Sequence, residues 1–226
     1  MAGIRPKLEA MRRVVIGLFV FALLVAPAIG DKKPKGVPLM RLPTQTNEIT
    51  NLAVPTPAQK CANWAWATAI EVMLKPQQVT LDQHYWVQKA NAGEICVDWL
   101  PTMEKLARLI DGNYQLEDGR KVTLQSHYAE GAPTNPGDLV LAVRQQRPAL
   151  LYWKSRAYVL CGVVYDEYIY PNNQRLFEIR ELKLVDPLAA AKDQHVSFLM
   201  ERDDVNDIGG YFTVEVITET PFPWQR

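Results

Sequence analysis

The sequence predicts an α+β domain in which an N-terminal helical lobe packs on a mostly antiparallel β-sheet lobe. Three observations lead there. Apolar residues at helical spacing are concentrated between Trp64 and Gln146. Runs rich in β-branched and aromatic residues dominate from Ala149 onward. Helices first and strands afterwards is the order of an α+β chain rather than of alternating β-α-β units. With 226 residues, 48% of them hydrophobic, the chain can bury one substantial core or two lobes. Its 25 basic and 25 acidic residues are interspersed, which leaves no footprint for nucleic acid.

Residues 1–30 read as a signal peptide. Arg5, Lys7, Arg12 and Arg13 make a positive start, Val14 to Ala26 is an unbroken apolar run, and Ala28-Ile29-Gly30 offers small residues before Asp31. The run is shorter than the roughly 18–20 residues a spanning helix needs, and Pro27 ends it. The expectation is export, periplasmic or extracellular, with no stable membrane span once the leader is removed. Residues 31–56, rich in Lys, Pro and Thr and without sustained period, read as an extended arm; the domain proper is 57–226.

In the domain, Asn63 is the expected N-cap of a helix over Trp64–Leu74, with Trp66, Ala69, Ile70, Met73 and Leu74 on one face and Pro76 barring continuation. Glu71 on this helix is expected to be solvated. A second helix is expected from Thr80, with Thr80 and Gln83 as a capping box, to about Ala92 and Gly93. A third spans about Pro101–Ile110 and stops at Asp111-Gly112. A hairpin through Asp118-Gly119 joins Tyr114–Leu116 to Lys121–Ser126, and Asn135-Pro136 opens a short helix to about Gln146. Strands follow at Ala149–Trp153, Ala157–Tyr165, Leu176–Val185, His195–Met200 and Tyr211–Ile217, with Pro171–Gln174 as a turn. The acidic run Glu201–Asp207 lacks the ligand alternation of a calcium loop and reads as a solvated turn.

The three cysteines are Cys61, Cys96 and Cys161. In an oxidising compartment two are expected to bond. Cys161 lies in the apolar run Tyr158–Val164 and reads as a small core hydrophobe, which leaves Cys61 with Cys96.

Gln59 stands six residues before position 65, and Asn63-Trp64 and Trp66-Ala67 flank that position. This segment resembles the active-site segment of the papain-like cysteine peptidases, especially bacterial members with Asn-Trp-Cys-Trp-Ala. The resemblance implies a papain-like fold, with Gln59 in an oxyanion hole and the nucleophile at position 65, which here is Ala65. It extends to the second half of the chain. The family's histidine falls six residues before a glycine on a strand; before Gly162 that position is Arg156. The orienting residue falls in an Asp-Pro pair, matched by Asp186-Pro187. An extra cysteine just before the nucleophile is in this family a disulfide partner, a role that Cys61 and Cys96 fit.

The chemistry of thiol peptidases needs a thiolate, an imidazole that moves a proton, and donors for an oxyanion. Ala65 has no nucleophile, and Arg156 stays charged at physiological pH. The leading expectation is therefore a pseudoenzyme that binds a peptide or protein, in a cleft lined by Trp64, Trp66 and Trp153, with Asp186 paired to Arg156. A second reading makes Cys61 a relocated nucleophile, although its flanking residues then fail the pattern. A third is a purely structural exported domain. No Cys/His spacing suggests a metal, and no cofactor is implied. His84, His127 and His195 read as surface or packing histidines.

Overall fold

The computed structural model describes residues 40–50, 52–53, 61–91, 96, 101–133, 136–189 and 193–219, all within one compact unit, Pro38–Arg226. The leader, residues 31–39 and Gln59 lie outside the described residues.

Two short strands come first, β1 (Met40–Arg41) and β2 (Gln45–Glu48). Helices α1 (Ala65–Leu74), α2 (Gln83–Asn91) and α3 (Met103–Ile110) follow, then β3 (Gly112–Gln115) and β4 (Lys121–Glu130). After α4 (Pro136–Arg144) come β5 (Ala149–Trp153), β6 (Arg156–Ile169), β7 (Arg175–Val185), β8 (His195–Leu199) and β9 (Ile208–Thr218). Among the described residues every strand pairing is antiparallel, and the fold class is α+β. The sheet runs β3-β4-β9-β5-β6-β7-β8, so the last strand is inserted between β4 and β5. β1 and β2 pair with β6 beyond the reach of β5: Gln45–Glu48 opposes Gly162–Tyr165. Residues 40–48 of the expected arm are thus extended and laid along the sheet.

The start of α1 differs from the sequence expectation. A 3-10 turn over Ala62–Trp64 precedes it, closed by the Trp64 N–H donating to the Cys61 carbonyl at 3.0 Å. Asn63 lies inside that turn, and the N-cap position of α1 falls to Trp64, whose side chain makes no capping bond. Nor is α1 buried on one face only. Ala67, Thr68 and Val72 are as buried as Trp66, Ile70 and Met73, because α1 packs on α2 as well as on β5 and β6. Pro76 ends the α-helix but sits early in a further 3-10 turn, Lys75–Gln77, where its missing N–H costs nothing.

Helix α2 begins two residues later than the Thr80–Gln83 box implies. Its first amides are satisfied by acids: Glu71 accepts from the Gln83 N–H at 3.1 Å, and Asp82 from the Tyr85 N–H at 2.9 Å. Glu71, expected in solvent, is partly buried at this contact, and burial raises its carboxyl above the usual range. Helix α3 is capped by Thr102, which accepts from the Lys105 N–H at 3.3 Å. Its far end is covered by Lys89, whose Nζ donates to the Leu109 carbonyl at 2.6 Å. The run Glu201–Asp207 is a turn: Asp203 accepts from the Leu199 N–H at 2.7 Å, and Asp204 caps the 3-10 turn Val205–Asp207.

Candidate functional site

Two of the positions singled out by the sequence, Ala65 and Arg156, lie on elements in mutual contact. Ala65 is the first residue of α1, partly exposed, and α1 packs on β5 and β6. Arg156 is the first residue of β6. It is held there by a two-residue hairpin turn, Lys154-Ser155, with φ of +49° and +59°, closed by the Trp153–Arg156 pair. Both central residues in the left-handed region is the geometry of the tight turns that fit strand twist, reached here without glycine.

Asp186 closes β7 on the neighbouring strand. Its Oδ2 accepts from Arg156 Nη2 at 2.9 Å. Its Oδ1 accepts from the Leu188 N–H at 2.9 Å, which fixes the turn after β7. The Asp186 side chain is buried to 8% exposure, whereas that of Arg156 is 47% exposed. Arg156 also lies over the Tyr158 ring, 5.8 Å from its centroid, as the two-residue spacing of a strand allows. The guanidinium is thus fixed by a carboxylate and a ring. It is a permanent cation with five donors and no acceptor, so it can hold an anion or a carbonyl but cannot relay a proton.

The three tryptophans expected to line a cleft are each at least nine-tenths buried: Trp64 is 5% exposed, Trp66 3% and Trp153 8%. Trp153 packs edge-on against Phe198 at 5.2 Å and, with its ring tilted, against Tyr158 at 5.6 Å. Trp64 meets the His84 ring edge-on at 5.0 Å, which makes His84 a packing residue. His127 and His195 are exposed, His127 lying 3.8 Å from Glu215. Tyr158 and Phe198 were not foreseen as neighbours of Trp153. The alternation of β6 signals the first; nothing in the sequence signals the second, because β8 reaches the site through β7.

Cys61 and Cys96 form a disulfide, with Cα atoms 5.9 Å apart. It ties the turn before α1 to a point 35 residues on. A loop of that size is worth roughly 3–4 kcal/mol in the chain-entropy account. Cys161 is free and buried; burial raises its thiol to about 12. No described cysteine therefore offers a thiolate at neutral pH. Among the described residues no group of three His, Cys, Asp or Glu side chains is placed to hold a metal ion, and no helix is long and apolar enough to cross a membrane.

No family model matches the chain, and no curated protein matches its sequence.

Proposed function

We propose that the chain is an exported papain-like domain whose catalytic centre is degenerate and which acts by binding a peptide or protein. One observation carries the reading: the position of the family's imidazole holds Arg156, ion-paired at 2.9 Å to Asp186 in the position of the orienting residue. An enzyme that had lost its cysteine alone would keep the histidine. Here the second position has changed to a permanent cation with the retained aspartate as its partner, which turns a proton relay into a fixed charge. Ala65 at the head of α1 completes the loss. The Cys61–Cys96 disulfide supports an oxidising compartment, and so export.

The reading in which Cys61 is a relocated nucleophile has no free thiol to work with. A purely structural role remains as the outcome of a failed binding test. The decisive experiment screens the purified native protein against a library of extended peptides, for binding and for cleavage. The expected result is saturable binding without turnover. Turnover by the native protein overturns the pseudoenzyme reading; absence of any binding leaves the structural role. In parallel, the double variant Ala65→Cys with Arg156→His is expected to gain thiol-dependent peptide cleavage. A folded double variant that stays inert removes the support drawn from the papain-like resemblance.

A further inference from the structure

We propose that Met40–Glu48 is a releasable strap, which leaves the edge of β6 as a unit while the rest of the domain stays folded, and uncovers Gly162–Tyr165 as an open strand edge.

The strap contributes nothing to the core. From Met40 to Glu48 no residue is buried; the first buried one is Ile49, at 2% exposure. What holds the strap is polar. The Leu42 N–H donates to the Glu167 carbonyl at 2.9 Å, and four residues of β2 pair with β6. Arg41 and Thr44 reach Asp166, at 2.7 and 2.6 Å. Gln45 Nε2 donates to Glu167 at 3.3 Å, and Asn47 Nδ2 to the Tyr165 hydroxyl at 2.8 Å. Glu48 pairs with Lys183. Gly162 lets the strap seat closely, since a Cβ there would lie 3.1 Å from the Asn47 carbonyl oxygen.

Its departure strands no buried charge, the usual reason that such a segment cannot leave. Asp166 is 0% exposed but only one side chain deep, covered by Arg41 and Arg180, which are 56% and 36% exposed. Without Arg41 it keeps Arg180, at 2.8 Å on β7. Arg180 in turn faces Glu178 and Glu201. Glu167 loses only an amide and keeps Arg144 of α4 at 3.5 Å and Arg175 of β7 at 2.7 Å. Tyr165 keeps Arg144 and loses Asn47 and Gln45, whose Oε1 accepts from the Tyr165 hydroxyl at 2.9 Å and from Arg144 at 3.1 Å. Each partner that stays behind comes from the domain itself.

Two conditions loosen the strap. Salt screens the exposed guanidinium of Arg41. Acid acts on Asp166, whose carboxyl is held below the usual range by the Thr44 hydroxyl, then by Arg180 and by the charge of Arg41. A depressed carboxyl adds stability above its ordinary value and loses it as pH falls through the lower folded value.

Hydrogen exchange read on peptides 41–48 and 175–185 tests the proposal. At neutral pH the native strap is expected to exchange at least about tenfold faster than β7, whose exchange follows global opening. The variant Arg41→Ala with Thr44→Ala is expected to raise strap exchange a further fivefold or more, on the order of two lost polar contacts, with the main thermal transition within a few degrees of native. High salt is expected to do the same to the native protein and less to the variant. Strap and β7 amides exchanging together, in both proteins, overturns the proposal, as does a variant whose whole domain melts early.

Discussion

Arg156 Nη2 meets Asp186 Oδ2 at 2.9 Å across adjacent strands, one partner half-exposed and the other buried. The half-exposed partner limits what the pair contributes to stability, because Arg156 can re-solvate if the contact breaks. Asp186 has a second duty, accepting from the Leu188 N–H. Asp186→Ala is therefore expected to cost about 1–2 kcal/mol, mostly through the part-buried turn amide left without an acceptor. Asp186→Asn, which can keep that bond, is expected to cost less. A double-mutant cycle with Arg156→Ala, read by urea unfolding, is expected to give a coupling of about 0.5–1 kcal/mol. Zero coupling would show that the pair does not hold the site.

Thiol counting checks the cysteine chemistry. The native protein is expected to show no iodoacetamide-reactive thiol at pH 7.5, since two cysteines are bonded and the third is buried with a raised thiol. Unfolding without reductant should expose one thiol, and reduction all three. Reduction of the native protein is expected to lower stability by about 3–4 kcal/mol. A reactive thiol at Cys61 in the native state would reopen the relocated-nucleophile reading.

Glu71 gives a prediction with a sign. Burial raises its carboxyl, so the folded state binds its proton more readily than the unfolded chain does. That group's contribution favours folding more as pH drops, between the raised folded value and the ordinary one, and opposes it above. Glu71→Gln can still accept from the Gln83 N–H and carries no charge to desolvate. It is expected to match or exceed native thermal stability at pH 7 and to lose that advantage towards pH 4. Glu71→Ala removes the acceptor and is expected to cost about 1 kcal/mol at both.

Among the described glycines, Gly210 leaves an added methyl group the least room. Its φ is +151°, and a Cβ would lie 2.9 Å from the Ala129 carbonyl oxygen and 3.0 Å from the Tyr128 ring. Gly210→Ala is expected to destabilise by about 2 kcal/mol or more, because backbone rather than a flexible tip blocks the space. Gly119, also at positive φ but with open space around it, is expected to lose only about 1 kcal/mol on the same change. Equal losses at the two sites would remove the steric argument.

The sequence by itself determined the elements whose signal is local. The β-branched runs placed β5 to β9 within a few residues, Pro101 and Asp111-Gly112 bounded α3, and the apolar setting of Cys161 left Cys61 for Cys96. The pairing of Arg156 with Asp186, expected from the resemblance, is present as an ion pair at 2.9 Å. Tertiary structure alone decided the rest. Asn63 gave way to a 3-10 turn tied by the disulfide, and Thr80 to caps from Asp82 and Glu71, one of them on another helix. The insertion of β9 between β4 and β5, the burial of Trp64 and Trp66, and the docking of Met40–Glu48 on β6 have no local signature. Each depends on which strand edge and which helix face remain open once the others have packed. That is a property of the assembled sheet, and no window of sequence contains it.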